Sequence, residues 1–278
     1  MILGNELLID NLKSLVDARK LAHSYLLFGQ QRVGKKLIAE ALGQYCERGE
    51  FSRGKVLQDT FIIEPDAQGT LGIDAVRAGK ALLLQQPSIG PYRIMIVNDA
   101  HKMTPEAQNA LLKVAEEPPE RAVIVLVTHV PEALADTVCS RFQSIFVPSV
   151  PAVNIQTWLH GEEGCDTTTA AALAKKANGA PGLAWALLHD ESFKSLLASA
   201  DRFFTLTSAG RKDFLKEVID DDAFELNEYL DALIINCAWA GSEKHSEMWH
   251  RLLKLRTTTA LYNVNPRLQL EALAAGLL

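Results

Sequence analysis

The chain has 278 residues, 48% of them apolar and 22% charged, and carries 28 Lys plus Arg against 34 Asp plus Glu for a formal charge of −6. At that length it makes two or three domains and buries roughly three quarters of its unfolded surface, so folding requires neither metal nor disulfide. The acidic balance argues against binding nucleic acid by bulk charge, and no run of 18 apolar residues is present to span a membrane.

The opening residues 5–20 place Leu8, Leu12, Leu15 and Val16 at helical spacing and predict an amphipathic helix. They lack a basic segment followed by an apolar core, so no secretory signal is expected and the protein is placed in the cytoplasm. Tyr25 to Phe28 is a short apolar run ending at Gly29, the pattern of a strand buried on both faces. Helical spacing resumes from Lys35 to Cys46, Phe61 to Ile63 reads as a second strand, and Ile73 to Gln85 reads as a helix. Arg93 to Val97 is a third strand. Thr104-Pro105-Glu106 opens a helix, with Thr104 as cap and Pro105 in the first turn, and Pro118-Pro119 closes it. Val123 to Val127 and Ser144 to Val147 complete five strands, so the first part predicts a mostly parallel sheet flanked by helices.

After Pro148 the strand signal disappears. Helices are expected over 151–160, 167–178, 181–189, 192–206, 210–219, 223–240, 245–262 and 266–277, with a sharp break at Gly179-Ala180-Pro181-Gly182. The fold class is therefore α/β followed by all-α. The four cysteines, Cys46, Cys139, Cys165 and Cys237, contain no C-x-x-C pair, so reduced thiols are expected rather than zinc or disulfides. Trp185, Trp239, Trp249, Phe203, Phe204, Leu206, Leu230, Leu233 and Ile234 are candidates for core or subunit contacts. Asp220-Asp221-Asp222 reads as a helix junction able to cap a helix from Ala223.

Chemistry concentrates in the first part. Gly29 to Lys35 has the G-x-x-x-x-G-K frame between a strand and a helix. Glycines there permit a tight turn whose N–H groups face an anion, and Lys35 is placed to reach the outer phosphates. The next position, where a Ser or Thr hydroxyl binds magnesium, is Lys36. The third strand runs into Asn98-Asp99-Ala100-His101. A nucleotide hydrolase wants an acid at the place of Asn98, while Asp99 takes the place of a second acid. Thr128 ends the fourth strand, and Ser140-Arg141-Phe142 precedes the fifth. No basic-aromatic interleaving marks a nucleic-acid surface.

The stretch Ala107-Gln108-Asn109-Ala110-Leu111-Leu112-Lys113-Val114-Ala115-Glu116-Glu117-Pro118-Pro119 is followed by Val127-Thr128-His129-Val130-Pro131 and Ser140-Arg141-Phe142-Gln143, and preceded by Ala22-His23-Ser24-Tyr25-Leu26-Leu27-Phe28-Gly29. In that order these motifs resemble the AAA+ clamp-loader ATPases over residues 1–190, and more narrowly the delta prime subunits of bacterial DNA polymerase III. The resemblance implies an AAA+ P-loop domain over 1–150, a small helical lid over 151–195, and a collar-like helical domain over 196–278 that is short for the family.

It further implies that Gly29, Gly34, Lys35, Asp99 and Thr128 (the sensor-1 position) form a vestigial nucleotide site. Arg141 falls at the arginine of the family's Ser-Arg-Cys motif, with Phe142 in place of Cys, and would reach in trans into a neighbouring subunit's ATP. Gly182 stands where active members carry a sensor-2 arginine. Many delta prime subunits carry a four-cysteine zinc insert after the first helix. Here only Cys46 lies there, so no zinc or other metal is expected, and ATP on this chain is doubtful. The implied partners are motor and clamp-opening subunits in a hetero-oligomeric ring, the sliding clamp, and primer-template DNA held through the assembly. The alternatives are a catalytically active AAA+ ATPase with its own site and a stand-alone regulator.

Overall fold

Strands whose side chains are buried on both faces need helices on both faces, and the computed structural model builds that arrangement. It describes residues 2–52, 54, 56–220, 224–240, 243–261 and 264–274. The strands are β1 (Ser24–Phe28), β2 (Thr60–Ile63), β3 (Arg93–Val97), β4 (Ala122–Thr128) and β5 (Gln143–Phe146). Their order is β2-β3-β4-β1-β5 and every pairing is parallel, so the sheet is wholly rather than mostly parallel. All residues of β3 and β4 are buried. β2 and β5 are the two edge strands, and on β5 Gln143, Ser144 and Phe146 are exposed.

Alternate strand residues feed two cores. Leu27, Ile94, Ile96 and Val125 pack with Leu12 and Val16 of α1 (Glu6–Asp17) and with Ile38 and Leu42 of α2 (Lys35–Arg48). Leu26, Met95, Ile124 and Leu126 point the other way, onto Val76 and Leu83 of α3 (Ile73–Leu83) and Leu111 and Val114 of α4 (Pro105–Glu116). Each such buried side chain contributes about 1.5–3 kcal/mol of transfer free energy. α4 starts as its sequence predicts: Thr104 Oγ1 accepts from the Ala107 N–H at 3.2 Å and Pro105 takes the first helical position. The short helix α5 (Asp136–Cys139) leads towards β5.

The remaining elements are α6 (Ala152–Gly161), α7 (Thr167–Ala177), α8 (Pro181–His189), α9 (Glu191–Thr205), α10 (Ser208–Ile219), α11 (Leu226–Ala240), α12 (Glu243–Leu261) and α13 (Pro266–Ala274). No strand follows β5 among the described residues. α11 begins at Leu226 rather than Ala223; Asp220 ends α10 as its C-cap, and Asp221, Asp222 and Ala223 lie outside the described residues. Among the described residues no helix is long and apolar enough to cross a membrane.

The chain divides into two compact units, Met1–Ala184 and Trp185–Leu278. Residues 151–184 belong to the first unit and 185–195 to the second. Backbone bonds explain the first assignment, since Val150 N–H donates to Gly179 O at 2.8 Å and Gly182 N–H to Arg32 O at 2.9 Å. Within the second unit, Phe203, Leu215, Tyr229, Leu230, Leu233 and Leu252 are buried. Phe204, Leu206 and Ile234 are half-buried. Asn236 Nδ2 donates to Leu197 O at 2.9 Å, and Arg256 Nε to Asp231 Oδ1 at 2.7 Å. None of the three tryptophans named above is core: Trp239 and Trp249 are half-buried and Trp185 is 47% exposed.

One buried ion pair anchors the turn that enters β3. Asp59, fully buried, accepts from the backbone N–H groups of Ser88, Ile89 and Gly90 at 2.6, 2.6 and 3.0 Å and from Arg93 Nη1 at 3.3 Å. Burial alone would raise its carboxyl, but these donors outweigh it and hold the pKa below the usual 3.8. A depressed carboxylate contributes stability above its unfolded pKa and loses it as pH falls through the folded value. Asp59→Ala strands the Arg93 charge, and urea unfolding at neutral pH should show a loss of about 3–5 kcal/mol. The variant should also lose less stability than the parent between neutral pH and about pH 3. An unchanged unfolding midpoint would contradict the assignment.

Candidate functional site

In a parallel sheet the residues that follow each strand converge at one edge. Gly29 follows β1, Glu64 follows β2, Asn98 and Asp99 follow β3, and Thr128 ends β4. Gly29 has φ +140°, and a Cβ there would lie 2.5 Å from Val147 O. Gly34, at φ +106°, turns the chain into α2. Lys35 is only 6% exposed, and its ammonium donates to Gly29 O at 2.9 Å and Gln30 O at 2.6 Å. Burial drives its pKa down to about 8, with the Asp99 charge pulling part of the way back.

The loop is also gripped from outside. Ser149 Oγ donates to Gln30 Oε1 at 3.1 Å, and Gly182 N–H in the first turn of α8 donates to Arg32 O. A Cβ on Gly182 would meet that same oxygen at 2.9 Å. Glycine at this position is therefore explained by the close approach of the loop backbone, which leaves no room for a longer side chain in this arrangement.

Beside the loop, Lys36 Nζ donates to Glu64 Oε1 at 2.5 Å, and Asn98 Nδ2 donates to Glu64 Oε2 at 2.9 Å. One carboxylate thus joins the two positions at which the sequence departs from a magnesium-binding pattern. Asp99 adopts left-handed backbone geometry at φ +49°. Thr128 is buried; its Oγ1 accepts from Val130 N–H at 3.0 Å and shares a 3.2 Å hydrogen bond with His101 Nδ1. The His101 and His129 rings meet edge to face at 4.4 Å between centroids.

Gly29, Gly34, Lys35, Asp99 and Thr128 are therefore brought to one edge of the sheet, and Arg141 is not. Arg141 precedes Gln143, which pairs with Tyr25 at the start of β1, so it lies a strand length, roughly 16 Å, from the glycine turn. Its side chain is 37% exposed, with Nη2 paired to Glu116 Oε1 at 2.6 Å and Nη1 donating to Thr137 O at 3.0 Å. Sequence reasoning missed Glu64, Glu116 and His129 as participants. Glu64 directly follows a predicted strand, which was a usable signal once strand order is known. The Glu116 partnership spans two elements and had none.

Comparison with known proteins adds a family. A family model described as DNA polymerase III, delta subunit matches residues 4–151. The chain is similar to the DNA polymerase III subunit delta' of Escherichia coli K12, 31% identical over 180 residues that cover 64% of this chain and 52% of that protein. The subunit delta' of Pseudomonas aeruginosa is 32% identical over 153 residues, 50% of this chain and 47% of that protein. The matched stretch spans about half the length of these curated relatives. Among solved structures, a DNA polymerase III gamma subunit-related protein from Thermotoga maritima superposes with a TM-score of 0.59 at 22% identity, covering 96% of this chain and 97% of that one. The Thermotoga maritima RuvB Holliday junction branch migration motor gives 0.51 at 15%, covering 99% and 82%. At these identities the structural likeness carries the fold alone, which is of the AAA+ type.

Two measurements check the closed loop. With a folded pKa near 8 against an unfolded 10.5, Lys35 gives up its proton first in the folded state, so stability gains from this residue as pH rises between those values. NMR of isotopically methylated lysines should find one ammonium titrating near 8 and assigned to Lys35 by its loss in Lys35→Arg; a midpoint near 10.5 contradicts the burial account. Gly182→Ala should cost about 1–3 kcal/mol through overpacking against Arg32, read by urea unfolding, whereas a neutral substitution would show that the contact at Arg32 is soft.

Proposed function

Because the chain belongs to the DNA polymerase III delta subunit family, we propose that it is a delta prime-type clamp-loader subunit: a scaffold that hydrolyses no nucleotide itself and lends Arg141 to an ATP held by an adjacent motor subunit. The observation that carries this reading is the Lys36–Glu64–Asn98 bridge. Magnesium in such sites takes oxygen ligands in near-octahedral array. Lys36 puts an ammonium where a hydroxyl would ligate, and Asn98 a neutral amide, its nitrogen bonded to Glu64, where an anionic carboxylate would stand, so these two residues fit that ion poorly.

The setting of Arg141 supports the second half. Its guanidinium lies away from the chain's own loop, and its partner Glu116 is a half-exposed carboxylate. Surface ion pairs contribute about 0–1 kcal/mol, so exchanging Glu116 for a neighbour's triphosphate costs little. An arginine supplied to a phosphoryl transfer contributes about 10³–10⁵ in rate in other systems. In this reading the chain works in the cytoplasm, in a ring with motor and clamp-opening subunits, and meets the sliding clamp and primer-template DNA through that assembly.

The test is reconstitution with the cognate motor and clamp-opening subunits. Arg141→Ala should leave assembly by size exclusion intact and lower ATP turnover of the complex by about tenfold or more; Lys35→Ala in this chain should leave turnover unchanged. Unaltered turnover in Arg141→Ala overturns the arginine role. A second reading, an active ATPase, rests on the preserved Gly29, Gly34 and Lys35 frame. It requires turnover by the isolated chain that Lys35→Ala abolishes.

A further inference from the structure

At the β3–β4 side of the same edge, three side chains from two strand ends converge without being needed for the function proposed above. Asp99, His101 and His129 each offer one ligand atom, and these atoms all lie within 4.8 Å of one another. His101 is 6% exposed, while Asp99 and His129 are half-buried. The ring of His101 is held at Nδ1 by Thr128 Oγ1. In the tautomer whose Nδ1–H donates to Thr128 Oγ1, the Nε2 lone pair is the one that ligates, and the hydrogen bond orients the ring for it.

We propose that Asp99, His101 and His129 form a binding site for a divalent transition-metal ion of borderline softness, such as zinc or cobalt. Two imidazoles and one carboxylate are the donor set of that class, with further coordination positions left for water. Lys102 Nζ lies 3.9 Å from Asp99 Oδ2, an ammonium that opposes any dication, so binding depends on the two imidazole nitrogens, donors that suit zinc or cobalt and not a hard ion such as magnesium. The site does not rest on the clamp-loader reading and stands or falls separately from it.

The test is a cobalt titration of the full chain after chelator treatment, read by visible d–d absorption, with zinc as competitor. Binding of one cobalt per chain, displaced by zinc, is expected. His129→Ala should weaken it by at least the roughly 10–100-fold that even loss of an outer partner costs, and Thr128→Val should weaken it by about that factor. Asp99→Gly provides a second ligand deletion that the left-handed backbone accepts. The metal-free variants should keep the parent's circular dichroism, and zinc should raise the melting temperature of the parent but not of His129→Ala or Asp99→Gly. Absence of binding overturns the proposal. So does cobalt that survives both ligand deletions, or that shows thiolate charge-transfer bands from Cys139 or Cys165.

Discussion

A lysine ammonium and a glutamate carboxylate, Lys36 and Glu64, face each other across the gap between α2 and the end of β2, and the Asn98 amide closes on the second carboxylate oxygen. Both charged side chains are about two-fifths exposed, at 40% and 44%, so the pair adds little to stability. Its consequence is electrostatic. An unpaired ammonium opposes a dication about 4 Å away by about 4 kcal/mol per unit of its charge at an effective dielectric near 20, and Glu64, whose carboxylate offsets part of that, is already engaged by Lys36 and Asn98. The amide of Asn98 offers no negative charge in return. The proposal of a chain without its own hydrolysis depends on this constraint, and the remaining features of the loop agree with it.

Those features share a direction. A phosphate loop works by presenting unpaired N–H groups and a mobile ammonium to an anion. Here the Lys35 ammonium is turned onto two loop carbonyls, a third loop carbonyl is taken by the Gly182 N–H, and the Gln30 side chain is held by Ser149. The loop keeps the shape of an anion site while several of its polar groups are bonded to protein. The buried Lys35 is destabilised in its charged form, so the arrangement leaves some electrostatic demand for a nearby negative charge, which Asp99 meets in part.

Much of the fold was legible in the sequence. Short apolar runs such as Arg93 to Val97 become strands because only a doubly covered parallel sheet buries every side chain of such a run. Thr104-Pro105-Glu106 carries its helix start in three residues. Whether residues 185–195 join one compact unit or the other depends on tertiary contacts that no local pattern encodes. The candidate site divides in the same way. Lys36, Asn98 and Gly182 announce themselves as departures from a known pattern. Glu64, which connects two of them, requires knowledge that β2 lies beside β3. His129 required the β3–β4 pairing that sets it against His101. The reason for Gly182 is a 2.9 Å approach of a backbone oxygen from 150 residues earlier, a contact that a linear reading does not reveal.

The most direct test of the account is calorimetric titration of the purified full chain with Mg-ATP. A site whose magnesium positions are filled by an ammonium and an amide should give no saturable heat at micromolar to low-millimolar nucleotide. Binding with a micromolar Kd that disappears in Lys35→Ala would contradict it.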